Sequence, residues 1–399
     1  MREVPPTAGL PLRWRDLLAP EPQALEEGLK HFLGTPRLRV ECSGTAALVV
    51  ALTALKRRSA RRRVIVPAYT CPLVAMAVLH CDLVPVPCDV RPSDFQFDLG
   101  QLAALCDGNT LALIPTHLGG RVAEIAPVHD AAVRHGAAVI EDAAQALGAI
   151  RHDAPQGSSS EAVFYSLAVG KGLTIFEGGI LVARDEDLRR KFDQVSAEVA
   201  PRRVGHELRR CLELAGYAAF YGPRALRLVY GDPLRRALRR GNLIEAVGDD
   251  FSGPIPLHRV GLWRKAIGAG GLQRLPAFLQ ALESQAERRL GRLSARKGIS
   301  VLGSSAGVRG TWPFFMVLMP SGRARDAALS GLWGAGLGVS RLYIHALADY
   351  PYLAGKVERN DAPCARDLAA RMLTVSNSPW LEDAEFDRVV RALGAAASA

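Results

Sequence analysis

The chain is expected to be α/β, with a large, doubly wound, mostly parallel sheet followed by a smaller C-terminal α+β unit. Three observations predict this. Short β-forming runs alternate with helical stretches from Leu38 to Glu141, the pattern of βαβ units around a parallel sheet. The stretch Ala162–Val182, AVFYSLAVGKGLTIFEGGILV, reads as strand, loop, strand with one lysine at its centre. Beyond about Ser300 the rhythm changes to a single strand, Trp312–Leu318, among helices at 324–333, 365–373 and 383–393.

Taken in order, residues 1–36 form an irregular arm with one helix, Glu21–Phe32. Strands are expected at Leu38–Cys42, Arg63–Val66, Val84–Cys88, Leu111–Pro115 and Ala138–Glu141. Helices are expected at Thr45–Lys56, Pro72–Leu79, Leu99–Cys106 and Ala126–His135. Within the lysine stretch, Val163–Tyr165 are β-formers, and Thr174–Phe176 with Gly178–Val182 resume the β pattern. Residues 190–260 break the alternation, and Leu272–Arg292 reads as a long amphipathic helix. The division expected is an arm at 1–36, a large domain at 37–299 and a small domain at 300–399. No internal repeat appears, and only the tail Gly394–Ala399 is low in complexity.

Composition narrows the function classes. With 399 residues, 49% of them apolar, the chain can bury the cores of two or three domains. Its seven cysteines are scattered and include no CxxC pair, which argues against a disulfide framework or a zinc site and for a reducing, cytoplasmic setting. The opening MREVPPTAGLPLRWRDLL has no apolar core, so no secretory leader is expected. No uncharged apolar run is long enough to span a membrane. The net charge of +10 is concentrated in Pro201–Arg240, where ten arginines face Glu207, Glu213 and Asp232. Such a patch is a solvated face or a contact for a phosphorylated ligand, an anionic membrane or nucleic acid. No helix-turn-helix, zinc-finger or RNP pattern supports nucleic acid.

Ligands of open α/β sheets bind beyond the carboxyl ends of the strands. The polar residues there are Ser43-Gly44-Thr45, Tyr69-Thr70, His117, Asp142 with Gln145, and Ser166 with Lys171. Lys171 stands between two glycines in a short loop, an unusual place for a solvated charge. Burial lowers a lysine's pKa, and the neutral amine can form a Schiff base with a carbonyl; an exposed loop lysine is the alternative. The Walker pattern is absent around Gly170-Lys171. Ser43-Gly44-Thr45 opens a helix, where free N–H groups and the helix dipole favour an anion; an ordinary N-cap explains it as well. Asp142, at a strand end near a Schiff-base lysine, suits pairing with the protonated pyridine nitrogen of pyridoxal 5′-phosphate, and Gln145, one helical turn on, would reach the ring hydroxyl. A helix cap and a surface amide are the plainer readings of these two. His117 and His129 lack metal-ligand spacing and read as structural.

These residues carry a resemblance. SGTAAL at Ser43–Leu48, VPAYT at Val66–Thr70, CDVRPSDFQFD at Cys88–Asp98, EDAAQALGA at Glu141–Ala149, FEGGILV at Phe176–Val182 and SPWLEDAEFDRVVRAL at Ser378–Leu393 resemble the DegT/DnrJ/EryC1/StrS family. These are fold-type-I pyridoxal-phosphate aminotransferases acting on nucleotide-linked keto sugars. The likeness covers roughly 38–185 and 255–395. It implies a homodimer with active sites at the interface, Lys171 as the Schiff-base residue, Asp142 at the ring nitrogen and Gln145 at the ring oxygen. It places Gly44, Thr45 and Ser166 around the phosphate, and Ser43, Cys71 and Arg259 are expected among the cofactor-binding residues. Where the family often carries a ring-stacking aromatic, this chain has Cys71. Where the family has an Asn-Tyr-Arg-Met-like stretch reaching across the dimer, it has Leu257-His258-Arg259-Val260, which keeps only Arg259. The lysine loop starts Ser166-Leu167-Ala168 instead of Ser-Phe-His. Related dehydratases replace the lysine by histidine, so Lys171 implies transamination, with glutamate as donor. Residues 257–268 are expected to meet the lysine loop across the two-fold axis.

Two readings from other classes stand beside this one: a membrane-surface protein with a vestigial site, and a nucleic-acid-binding regulator on the same scaffold. The first draws on Pro201–Asp250, which looks like an insertion outside the core fold. Its Leu208–Leu228 mixes leucines and aromatics with Arg209, Arg210, Arg224 and Arg227, the make-up of an interfacial helix on anionic lipid at the inner face of the membrane. Pro223 should split that helix. The alternative is a helical pair that packs on the core and covers the site's mouth.

Overall fold

The computed structural model describes residues 2–18, 24–151, 160–303 and 307–398, and the backbone of 154–155. The expected start of the first helix, at 21–23, lies outside the described residues; the helix runs over Ala24–Leu33 (α1). The next elements are β1 (Leu38–Glu41), α2 (Gly44–Lys56), β2 (Arg63–Pro67), α3 (Pro72–His80), β3 (Val84–Cys88), α4 (Leu99–Leu105), β4 (Thr110–Leu113), α5 (Ala126–His135) and β5 (Ala138–Asp142). After two short strands, β6 (Ile150–Arg151) and β7 (Ala154–Pro155), come β8 (Ala162–Ser166) and β9 (Gly179–Ala183).

The large sheet has seven strands in the order β1-β9-β8-β5-β4-β2-β3. Strand β9 pairs antiparallel with both β1 and β8, while β8, β5, β4, β2 and β3 are joined by parallel ladders. Six strands therefore point one way, and the ends of β1, β2, β4, β5 and β8 share one edge. The strands are nearly continuous apolar runs because both faces are covered. Successive residues face opposite sides: Val64 and Val66 pack with α2 and α3, while Ile65 packs with α4, α5 and the C-terminal region.

Thr174–Phe176, expected as strand, is bent loop. Leu173 and Ile175 are fully buried and sit under α1, α10 (Leu262–Leu272) and α11 (Leu275–Ser294), so their apolar character serves packing and not a ladder. Residues 143–148 lie in successive turns, so Gln145 follows Asp142 through a turn and not along a helix.

Residues 190–260 are largely helical: α6 (Glu186–Val199), α7 (Val204–Phe220), a π turn at Arg227–Gly231, α8 (Asp232–Arg239) and α9 (Leu243–Val247). Helix α7 stops before Pro223. The expectation that this stretch lies outside the core fold is corrected. Leu214, Tyr217, Tyr221 and Leu226 are buried with Leu12 of the arm and Ile267 of α10. Of its arginines, Arg209 and Arg210 pair with Glu213, Arg227 with Asp232, Arg235 with Glu3 and Asp232, and Arg240 with Glu245. No helix among the described residues is long and apolar enough to cross a membrane.

The C-terminal part carries β10 (Ser300–Leu302), β11 (Val308–Arg309), β12 (Phe314–Leu318), α12 (Gly322–Leu332), β13 (Val339–Ser340), α13 (Pro363–Arg371), β14 (Met372–Ser376) and α14 (Asp383–Ser398). Its antiparallel sheet, β10-β12-β14-β13, packs against α11, α12 and α14 around Phe315, Val317, Leu373, Val375 and Phe386. A small third sheet pairs β11 and β7 with β6.

Candidate active site

Five strand ends converge on one cavity of about 950 Å³. Ser43, Gly44, Thr45, Cys71, Asp142, Gln145, Ser166 and Lys171, picked out from the sequence, all line it. Arg259 does not. It is exposed and its Nε donates to the Ala200 carbonyl at 3.2 Å.

The Ser43–Thr45 corner lies where β1 passes into α2. The Ser43 hydroxyl caps the helix by accepting from Ala46 N at 2.9 Å, and the first helical N–H groups, of Gly44 and Thr45, have no intrahelical acceptor. Gly179 lies opposite Glu41 on one side and Ser166 on the other. A Cβ there would stand 2.3 Å from the Ser43 carbonyl oxygen, so glycine alone allows the corner and Ser166 to close together. A helix N-terminus with two hydroxyls beside it is an anion cradle.

Asp142 ends β5. Its backbone bonds to β4's extension, His117 N to Asp142 O and Asp142 N to Pro115 O, both 2.9 Å, and its Oδ1 accepts from Ala144 N at 3.0 Å. That bond is a turn within 142–144, so the helix-cap reading of Asp142 does not hold. Burial pushes its carboxyl up from the ordinary range, against the Ala144 bond and the nearby Lys171 charge. No arginine among the described residues pairs with it. His117 also faces the cavity and is tied at both nitrogens: Nδ1 accepts from Ala123 N at 2.9 Å, and Nε2 lies 2.9 Å from Glu141 Oε2. With Ala123 N on one nitrogen and the Glu141 carboxylate on the other, His117 is held in one orientation. Gln145 Oε1 accepts from Gly119 N at 2.7 Å, and its Nε2 donates to the Tyr343 hydroxyl at 3.3 Å; it is a fixed wall group and not a surface amide.

Lys171 sits on a loop whose neighbours, Gly170 and Gly172, both have φ of +78°. The arm holds the loop from outside: Leu10 N donates to the Gly172 carbonyl at 2.7 Å. Lys171 keeps some accessible surface because it faces the cavity, yet protein surrounds it, and that burial lowers its pKa, against the opposing influence of Cys71 and Asp142. Cys71 stands at the N-cap position of α3 on the facing wall without a side-chain cap bond, its thiol pushed up to about 12 by burial, so it is a small neutral group on that wall.

The cavity also uses residues that were not picked out. Arg341, Tyr343, Ser340, Glu177, Arg210, Asp249 and Thr7 line it. Asp249, from the supposed insertion, accepts from Tyr350 Oη at 2.5 Å and Ile344 N at 3.1 Å, and burial raises it to about 6. Arg341 donates to the Ile344 and Ala369 carbonyls and pairs with no carboxylate among the described residues. Ser340 ends the short strand β13 and Arg341 and Tyr343 follow it, a strand the sequence reading did not contain, so the search for polar residues beyond strand ends did not reach them.

A buried carboxylate without a fixed cation, a lysine driven toward its neutral amine and an anion cradle occupy separate walls of one cavity. This donor set fits pyridoxal phosphate, whose ring nitrogen is cationic, whose aldehyde takes an amine and whose phosphate needs N–H and hydroxyl donors. Together with the sheet order, it defines a fold-type-I pyridoxal-phosphate enzyme. Residues 10–217 match the DegT/DnrJ/EryC1/StrS aminotransferase family. The chain belongs to that family and is a pyridoxal-phosphate-dependent aminotransferase. It is 28% identical over 376 residues to the GDP-perosamine synthase of Caulobacter vibrioides, covering 92% of this chain and 85% of that protein. It is 35% identical over 165 residues to the L-glutamine:2-deoxy-scyllo-inosose aminotransferase of Streptomyces fradiae, covering 41% of this chain and 39% of that one. In structure it resembles a putative sugar aminotransferase of Streptococcus pneumoniae with a TM-score of 0.78 at 18% identity, over 99% of each chain.

Proposed function

We propose that the chain transfers an amino group from glutamate to the keto group of a sugar, nucleotide-linked, in the making of a cell-surface polysaccharide or a secondary metabolite. The observation that carries this is a single cavity with Lys171 and Asp142 in its walls, large enough to extend from the Ser43–Thr45 corner to Arg341. The relatives' sugar substrates support the acceptor class.

In this reading Ser43, Gly44, Thr45 and Ser166 would hold the cofactor phosphate and Asp142 the ring nitrogen, with Cys71 and His117 in the walls of the same cavity. Gln145, fixed by Gly119, presents its amide to the ring oxygen. The bound cofactor supplies an electron-accepting ring. Lys171 Nζ, its pKa lowered by burial, would hold the cofactor through its aldehyde carbon, and once a donor amine had displaced it the freed amine would be the group placed to take and return a proton. Arg341 offers its guanidinium to the donor carboxylate, and Arg210 is the one arginine of 201–240 that borders the cavity.

The homodimer is part of the proposal. Trp14, Leu18, Val204, Leu208, Leu212 and Leu262 are between 60% and 85% exposed on an arm, α7 and α10 that neighbour one another, and a second copy would cover them. Arg259 would then serve the partner's site. Residues 257–268, expected to meet the lysine loop of a second copy, pack against the loop of their own chain, where Arg264 donates to the Glu177 carbonyl. We place the enzyme in the cytoplasm, with 37–299 as large domain and 300–399 as small domain. Leu228 and Val229, exposed outside that patch, leave contact with the inner membrane face to a liposome test: no co-sedimentation at low salt refutes it.

The function test is a single-turnover absorbance assay. Glutamate, glutamine and alanine are offered in turn, and the aminated enzyme is then given a nucleotide-linked keto sugar, the free keto sugar or a keto-cyclitol. Conversion by glutamate and return by the nucleotide-linked sugar are expected. Return only by the cyclitol overturns the acceptor assignment.

A further inference from the structure

Among the described residues, the carboxylates that line the cavity are Asp142, Glu177, Asp249 and Asp250. Three of them are committed. Asp142 is assigned to the cofactor's ring nitrogen. Glu177 Oε2 lies 2.5 Å from Arg210 Nε. Asp250 is exposed and accepts from Ser252 of its own turn, from the backbone N at 3.2 Å and from Oγ at 2.8 Å. Asp249 is left, buried in the cavity wall and with no role in holding the cofactor. We infer that Asp249 selects the acceptor, its Oδ1 receiving a ring hydroxyl of the sugar; this rests on the reading that the cavity aminates a keto sugar.

The local fold fixes where Asp249 stands. Helix α9 ends at Gly248, which is left-handed with φ of +83°, and the Asp249 N–H reaches back to the Ile244 carbonyl at 2.9 Å. Glycine makes that closing turn readily, and the residue after it borders the cavity. Tyr352 Oη holds the main chain by donating to the Asp249 carbonyl at 2.6 Å. Ile344 N and Tyr350 Oη, at 3.1 and 2.5 Å, both donate to Oδ2. One oxygen thus takes both bonds to the side chain, and they fix the plane of the carboxylate. Oδ1 has no hydrogen-bond partner among the described residues and is not sealed from the cavity.

A buried carboxylate tied down at one oxygen is a pre-organised acceptor at the other. It takes an O–H or an N–H and repels a phosphate or a carboxylate. A sugar ring supplies O–H groups, whereas the amino donor's carboxylate is turned to Arg341. The position is close to the chemistry. Burial, and with it the Asp249 charge, pushes up the Cys71 thiol and the Tyr343 hydroxyl, and Tyr343 takes the Gln145 amide at 3.3 Å. Asp249 therefore meets the sugar ring itself, and the phosphates of a nucleotide lie at another wall. A desolvated carboxylate oxygen left without a donor is costly, so an acceptor that lacks the hydroxyl is turned away.

The test measures kcat/KM of the cofactor-loaded enzyme for a nucleotide-linked keto sugar and for analogues that lack one ring hydroxyl at a time. In the wild type one analogue should lose about 10- to 100-fold. Asp249→Asn keeps an oxygen for Tyr350 and Ile344 N and turns an N–H to the cavity. It should lose a similar factor on the complete sugar and no longer discriminate against that analogue. Asp249→Ser, which empties the position, serves for the same comparison where Asp249→Asn does not fold. Discrimination that survives in the variants overturns the assignment, as does a loss confined to the half-reaction with the amino donor. If no keto sugar is aminated, the acceptor reading fails and this inference with it. If the complete sugar is aminated by the wild type without dependence on any one hydroxyl, this inference alone fails.

Discussion

Replacing Gly170 by alanine should loosen the cofactor, for two reasons that can be separated. Gly170 has φ of +78°, where an L-residue is disfavoured by about 1–2 kcal/mol. An added Cβ would also stand 2.1 Å from the Thr7 hydroxyl oxygen and 3.4 Å from Thr7 Cβ, so the hydroxyl must move and the methine need not. Both effects drive the loop to a relaxed shape that withdraws Lys171, and cofactor binding must restore the strained one. The backbone part alone corresponds to about a 5- to 30-fold loss of cofactor affinity. The assay is an absorbance titration of cofactor-free protein for wild type, Gly170→Ala, Thr7→Ala and the double variant. Thr7→Ala alone should be near wild type. The double variant should regain the clash portion and keep the backbone portion. Wild-type affinity in Gly170→Ala would refute both the loop conformation and the arm's role in holding it.

Lys171→Ala should be colourless when purified, inactive, and without a borohydride-trapped adduct; retention of colour and turnover would remove Lys171 from the chemistry. Asp142→Asn should bind cofactor but lose turnover by about a hundredfold or more, the scale for removing one pre-organised charge from a site, and near-normal steady-state rates would exclude its role. Asp249 titrates near 6 in the folded chain against about 3.9 when unfolded. Its native form therefore holds its proton more tightly, and the stability it contributes is full below about pH 4 and lost as pH rises through 6, by up to about 3 kcal/mol. Asp249→Asn should flatten that part of the profile, read as the thermal midpoint at pH 4.5 and pH 7; an unchanged difference between the two pH values would show that Asp249 is not buried as charged. Arg341→Gln should raise the KM for the amino donor more than that for the acceptor sugar in initial-rate kinetics; equal effects would assign it to the wall alone.

The sequence determined the large sheet and the contents of its ligand edge. Residues Leu38–Asp142 announce themselves because βαβ units are local: each strand, turn and helix is specified within a few dozen residues, and the polar groups beyond each strand fall on one edge by topology. Ser43, Gly44, Thr45, Cys71, Asp142, Gln145, Ser166 and Lys171 came together for that reason. Thr174–Phe176 was misread because burial against helices far along the chain produces the same apolar pattern as a strand.

Tertiary structure alone decided the rest. Asp249 reaches the cavity because the arginine-rich stretch folds back onto it, its apolar side chains packing on Leu12 and Ile267 and its arginines meeting carboxylates as distant as Glu3. Glu177, His206 and His258 are brought side by side from positions spread over some eighty residues, and no spacing rule reads across such distances. The physical reason is the same in each case. Local propensity and alternation are encoded by near neighbours, whereas burial of a titratable group, the loss of its water and the identity of its partners depend on which distant segments the packed core happens to lay beside it.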